Sequence, residues 1–208
     1  MNPRAGLFIT LEGGEGAGKS TAALRLAERL REEGHTVSVT REPGGTPGAE
    51  AVRALLLGTK IKLAPLAQTM LHFAARADLV ETVIRPALAR GEVVICDRFY
   101  DSTMAYQAYG LNVDVSAVAS LIRLINLTPD LTFIMEVSED TANKRRVARG
   151  GASDRYEDMG AEFMARVAHG FRAIATSEPG RCVLIDAEPP VETVVATMRQ
   201  VIRDRTGR

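Results

Sequence analysis

Apolar and polar positions alternate along this chain in blocks that switch between strand-like and helix-like periods. The run GLFITLE, with Leu7 to Leu11 at its centre, predicts a first buried strand. A glycine-rich turn follows, and then TAALRLAERLREEG. There Ala22, Leu26 and Leu30, with Ala23 and Ala27, make one apolar stripe, while Arg25, Glu28, Arg29 and Glu32 face outward. Gly34 ends that helix. Further strands are expected at Thr36–Thr40, Val93–Cys96, Leu131–Val137 and Arg181–Ile185, with a helix over about Pro65–Arg90 preceding Val93–Cys96. Helical sequence separates successive strands, which predicts an α/β fold with a five-stranded parallel sheet covered by helices on both faces. No internal repeat or linker breaks the chain, so one domain is expected. The exception to its regularity is Arg149–Gly160, RGGASDRYEDMG, read as a lid over an anion site, with a solvated surface loop as the alternative.

Composition narrows the partners. The 208 residues carry 26 Lys plus Arg against 26 Asp plus Glu, which gives no broad basic stripe for nucleic acid. No run of 18 apolar residues and no signal-peptide pattern is present, so neither a membrane span nor export is expected. Cys96 and Cys182 sit far apart in apolar runs and read as buried free thiols, which suits the cytoplasm.

The strongest motif is Gly13–Ser20, GGEGAGKS, lying between a strand and a helix. Its amides can ring a phosphate: Gly13, Gly14, Glu15, Gly16, Ala17 and Gly18 form the loop, and Lys19, Ser20 and Thr21 open the helix. Lys19 is expected on the terminal phosphates and Ser20 on Mg²⁺. Glu15 is a carboxylate beside incoming phosphates; it would hydrogen-bond a sugar hydroxyl, position a metal-bound water, or face solvent. Asp97 ends the third strand on the same edge of the sheet and is a second metal candidate, with Arg98 directly after it; an Asp–Arg surface pair is the alternative. Arg41 ends the second strand. Arg41 and Arg98 converging on one phosphate while Lys19 holds another describes a kinase whose acceptor is itself phosphorylated. Phe73 and Arg76 share a helix face and suit a stacked base with a carbonyl edge, although a Phe so placed is also ordinary core. There is no Asn-Lys-x-Asp segment for guanine, which argues against a GTP switch, and His35, His72 and His169 form no metal or triad pattern.

With those residues in view, the sequence resembles the bacterial thymidylate kinases over essentially its whole length. The match rests on LEGGEGAGKS, TREPGGTPGAE, LHFAARADLVETVIRPAL, VVICDRFYDSTMAYQ and RRVARGGASDRYE. The resemblance implies ATP-dependent phosphorylation of dTMP to dTDP with Mg²⁺, feeding dTTP synthesis, in a homodimer packed through helices. It also implies roles. Glu12 lies near metal and acceptor; Arg41 and Arg98 grip the acceptor phosphate. Phe73 stacks on thymine, Arg76 donates to a base oxygen, and Gln107 reads the pyrimidine edge. Tyr106 lies along the deoxyribose, and Ser102 is a base-side polar group. The loop itself lacks a catalytic arginine, so Arg149 and Arg155 in the lid take that role, with Arg145 or Arg146 assisting or lying on a solvated helix face. Ala75 stands where many members have an Asp that would support Arg76, and Phe99 replaces a commoner Tyr. The expected reaction is direct in-line transfer without a phosphoenzyme. The rivals are a kinase for another pyrimidine monophosphate or a deoxynucleoside, and an acceptor-independent ATPase or switch.

Overall fold

A computed structural model describes residues 6–58, 62–150, 156 and 159–208. Strands β1 (Leu7–Gly13), β2 (Val37–Arg41), β3 (Val93–Asp97), β4 (Leu131–Glu136) and β5 (Cys182–Asp186) form one sheet in the order β2-β3-β1-β4-β5. Every neighbouring pair is parallel. Strands β2 and β3 lie on one side of β1 and β4 and β5 on the other, so the chain reverses its winding at β1 and leaves a crevice at its carboxyl end. The register sets the contents of that edge. Leu11 and Arg41 both lie opposite Asp97, so the ends of β1, β2 and β3 deliver their polar residues at one level.

Side chains along β1 alternate between two cores. Leu7, Ile9 and Leu11 pack with Leu26 and Leu30 of α1 (Lys19–Glu32) and with Val194, Met198 and Ile202 of α9 (Val191–Thr206). Phe8 points the other way, into a core with Phe73, Leu79, Phe99, Val118 and Ile125. In a third cluster Phe163 and Phe171 of α8 (Ala161–Ser177) pack with Tyr106 and Tyr156 over Ile134. Both cysteines are buried and unpaired. Among the described residues no helix is long and apolar enough to cross a membrane.

The expected rod from Pro65 to Arg90 is continuous but not uniform. Helix α3 (Pro65–Leu79) passes through a wide π turn, Val80–Ile84, into the short α4 (Arg85–Ala89). Pro86 has no N–H for the carbonyl of Thr82 and its ring crowds that carbonyl, so the helix widens just before it. Thr82 Oγ1 also donates to the carbonyl of Asp78 at 2.6 Å. A second π turn, Met104–Gly110, continues α5 (Tyr100–Thr103) and lays Tyr106 and Gln107 across the mouth of the crevice. The remaining helices are α2 (Pro47–Leu57), α6 (Val115–Ile125) and α7 (Glu139–Arg149). Thr46 caps α2 by accepting from the Ala49 N–H at 3.0 Å, and Ser138 caps α7 by accepting from Thr141 at 3.2 Å.

Candidate active site

The loop between β1 and α1 needs its glycines for two physical reasons. Gly13 has φ 130°, and a Cβ there would stand 2.3 Å from the Met135 carbonyl; at Gly16, φ 79°, it would stand 2.6 Å from that of Ala142. With both positions free of side chains, the loop packs against the end of β4 and the start of α7. Lys19 lies buried across it and donates to the carbonyls of Gly13, at 3.1 Å, and Gly14, at 2.7 Å. Burial and the nearby Arg98 guanidinium push the Lys19 ammonium down to about 8. A cation so desolvated is poised for an incoming polyanion.

The loop opens onto a cavity of about 720 Å³. Residues from Glu15 to Thr21 line one end, and Arg41, Asp97, Arg98 and Ser102 line its middle. Arg76, Tyr106 and Gln107 line the other end. Gly13, Gly14, Glu12 and Phe73 stand behind this surface, close to residues that form it.

Arg98 organises the middle. It adopts φ 70°, a left-handed conformation costing about 1–2 kcal/mol for a residue with a side chain. Its N–H donates to the Leu11 carbonyl at 2.9 Å, which ties that strained residue to β1. The guanidinium donates to the Gly13 carbonyl at 2.9 Å, to Ser102 Oγ at 3.0 Å and to the Glu15 carboxylate. It also lies 5.1 Å over the Tyr106 ring. Glu15 therefore neutralises Arg98 in the free protein. Ser102 joins Arg98 to Glu12: its hydroxyl donates to Glu12 Oε2 at 2.5 Å while accepting from Arg98. Glu12 is fully buried and also accepts from the Phe99 N–H at 2.7 Å. Burial and the neighbouring Asp101 carboxylate raise its pKa far above the usual carboxylate range.

At the far end, Arg76 and Glu42 form a buried pair, with side chains 2% and 4% exposed and a 2.6 Å contact. Arg76 also donates to Thr103 Oγ1 at 3.0 Å. Its guanidinium lies 4.5 Å from the centre of the Phe73 ring and 5.2 Å from that of Phe99. The support that Ala75 does not give Arg76 thus comes from Glu42, at the end of β2. One donor, Arg76 Nη1, has no hydrogen-bond partner among the described residues. Phe73 is buried in the wall. Gln107 donates through Nε2 to Tyr156 Oη at 2.9 Å.

On the opposite wall Arg145 and Arg146 both line the cavity, and Arg145 is held by the Ala187 carbonyl at 2.9 Å. Arg155 and the side chain of Arg149 lie outside the described residues, as does most of the expected lid. Arg41 makes an exposed ion pair with Glu50 at 2.9 Å. Sequence reasoning missed Glu42, Gln68 and Tyr156. Glu42 carried a faint signal, an acidic residue wedged between an arginine and a proline at a strand end; Tyr156 carried none beyond its place in the lid segment.

Ser20 Oγ donates to the Asp97 carboxylate where α1 meets β3, and both residues line the cavity. A hydroxyl and a carboxylate are hard oxygen donors of the kind Mg²⁺ prefers. The described residues hold no cluster of three or more acidic, His or Cys side chains that would cage a metal alone. That donor set fits an ion that takes its other ligands from phosphate and water.

The comparisons agree with this geometry. The family description "Thymidylate kinase" matches residues 11–198. The thymidylate kinase of Gluconobacter oxydans is 50% identical over 203 residues, covering 96% of this chain and 95% of that protein. That of Caulobacter vibrioides is 48% identical over 205 residues, covering 97% and 98%. The crystal structure of thymidylate kinase from Ehrlichia chaffeensis superposes with a TM-score of 0.80 at 36% identity, covering 96% of this chain and 99% of that one. The chain, whose glycine loop opens onto one cavity at the reversal of a parallel sheet, belongs to the thymidylate kinase family.

Proposed function

We propose that this chain transfers the γ-phosphoryl group of ATP to dTMP, giving dTDP and ADP, in the service of dTTP synthesis. The observation that carries the reading is one cavity lined by two sets of cationic side chains: Lys19 at the glycine loop, and Arg98 with Arg41. Beyond them lies a pocket walled by Arg76 and Gln107.

The loop amides and Lys19 hold the β- and γ-phosphates, with Gly13 to Thr21 as the donor site. Arg98 releases Glu15 and takes the acceptor phosphate, with Arg41 at the rim. A monophosphate oxygen is already anionic near neutral pH, so the attack needs orientation and charge stabilisation rather than a strong base. Glu12 acts through Ser102, whose hydroxyl it fixes, and so holds Arg98 in its strained conformation. Arg76 has a spare N–H to offer a base carbonyl, Phe73 backs that guanidinium from behind the cavity wall, and Tyr106 borders the sugar. When bound between Ser20 and Asp97, Mg²⁺ supplies Lewis-acid neutralisation of the phosphates. Arg149 and Arg155 belong, in this reading, to a lid at about 149–160 that covers the transferring group.

A homodimer is part of the proposal. Leu66 and Met70 of α3 and Val115 and Leu124 of α6 are 50%, 57%, 53% and 79% exposed, and the two helices pack side by side. We assign that apolar face to a second copy of the chain. The two buried thiols fit a cytoplasmic protein.

The test uses γ-labelled ATP with dTMP. Label is expected in dTDP in one-to-one proportion with ADP. Label released as inorganic phosphate, at the same rate with and without dTMP, would contradict the reading.

A further inference from the structure

The base end of the cavity contains a chain of hydrogen bonds that ends on a backbone carbonyl. Gln68, buried on α3, donates through Nε2 to the Leu63 carbonyl at 2.7 Å. A backbone carbonyl is only an acceptor, so this contact fixes which way the Gln68 amide faces. Its Oε1 then stands 3.5 Å from Tyr156 Oη, and His72 Nε2 stands 3.3 Å from the same phenol. Burial and the nearby Arg76, Arg98 and Arg53 push the His72 imidazole down to about 3, so it is neutral and able to accept. Whichever of these acceptors takes the phenolic proton, a lone pair of Tyr156 Oη is left facing Gln107 Nε2 at 2.9 Å. A reversed Gln107 amide would set two carbonyl oxygens, those of Gln68 and Gln107, against one phenolic proton.

Gln107 lines the cavity, and its Oε1 accepts no hydrogen bond from the described residues. Its amide presents an acceptor there because its donor end is already committed. Thymine and uracil carry an N3–H donor at the corresponding edge, whereas cytosine carries a lone pair. We propose that Tyr156, anchored through Gln68 to the Leu63 carbonyl, is a specificity-positioning residue. It locks Gln107 with its acceptor toward the base and so excludes cytosine nucleotides. The inference rests on the dTMP kinase reading above and adds the device that fixes its base edge.

Tyr156 packs at 5.3 Å from the Tyr106 ring and at 6.3 Å, stacked, from Phe163. Tyr156→Phe keeps those contacts and removes only the hydroxyl. The Gln107 amide is then free to turn and offer Nε2–H to a cytosine lone pair. The probes are dTMP and 5-methyl-dCMP, which share the methyl group, sugar and phosphate. The expected result is a roughly tenfold fall in the ratio of their kcat/KM values, the scale of one redirected hydrogen bond. The ratio of their Kd values, measured by calorimetry without ATP, should fall in parallel. Gln68→Met removes the anchor while keeping Tyr156 and should move both ratios the same way by a smaller factor. Damage to packing or to the lid lowers both substrates together and leaves the ratios unchanged. Ratios unchanged in both variants would overturn the proposal. A wild-type protein that does not favour dTMP would instead overturn the functional reading on which it rests.

Discussion

The pair formed by Glu42 and Arg76 permits a prediction in which the two partners behave differently when each loses the other. Their side chains are 4% and 2% exposed, so solvent screens the interaction little. Breaking such a pair by truncating one member costs about 3–5 kcal/mol, because the survivor is a charge buried alone. In a chain of this length 1 kcal/mol moves Tm by roughly 2–4 °C. Glu42→Leu should therefore lower Tm by roughly 6–20 °C. Arg76 has no way to shed its charge, so this loss persists as pH rises. Arg76→Met leaves a carboxyl that can take a proton. Burial has already raised the pKa of Glu42 to about 7, and removing Arg76 raises it further. A carboxyl whose folded pKa exceeds its unfolded value binds more protons folded than unfolded, so stability falls as pH climbs through that interval. Relative to wild type, Arg76→Met should thus lose stability progressively above about pH 7, at about 1.4 kcal/mol per unit. Between pH 6.5 and 8.5 the Tm difference from wild type should widen by roughly 4–8 °C. The double variant Glu42→Leu, Arg76→Met buries no charge and should be more stable than Glu42→Leu alone, with no such widening. Calorimetric scans of the four proteins at the two pH values test this. A pH-independent Arg76→Met difference, or a double variant no more stable than Glu42→Leu, would refute the argument. Addition of dTMP should raise the Tm of wild type by more than that of the double variant, because Arg76 Nη1 is the unpartnered donor.

Other predictions concern the rest of the site. Arg98→Ala should lower kcat/KM for the monophosphate by about 10²–10³, the scale of one lost charge-stabilising donor, with Arg98→Lys recovering only part; steady-state kinetics decide it. ATP affinity should weaken as pH rises through about 8, where the free protein's Lys19 loses its proton, and binding near that pH should take up a proton in calorimetry run in two buffers; flat affinity from pH 7 to 9.5 would contradict it. Arg181→Met should lower thermal stability by about 3–5 kcal/mol, because Arg181 forks onto the buried Asp101 at 2.7 and 2.8 Å, and chemical denaturation measures the loss. Gly16→Ala should abolish tight ATP binding, since its Cβ would stand 2.6 Å from the Ala142 carbonyl in a residue at φ 79°; an unchanged ATP Kd would contradict the packing argument.

How far the sequence could be read depended on the range of the physics involved. The five strands were legible to within a residue or two because apolar runs bounded by glycine and charge are local signals; β1 simply runs on through Glu12 to Gly13. The phosphate loop was legible because its spacing is itself the structure. The two π turns were not, since apolar periodicity near 3.6 carries no trace of a single widened turn. Glu42 and Arg76 are 34 residues apart, and their meeting depends on how the β2 end faces α3, which no local pattern encodes. The same holds for Ser102, read as a base-side group from the resemblance and seen between Glu12 and Arg98. The left-handed backbone of Arg98 is likewise invisible, because arginine is not a residue that advertises positive φ.

In the proposed reaction one cavity brings a nucleoside triphosphate and thymidine monophosphate together for direct transfer. This is tested most directly by kcat/KM for ADP formation from Mg·ATP against dTMP, dUMP, dCMP, thymidine and no acceptor. The highest value is expected with dTMP, with a sharp fall for dCMP and thymidine and a blank near zero. ADP formed as fast without an acceptor as with dTMP would contradict it.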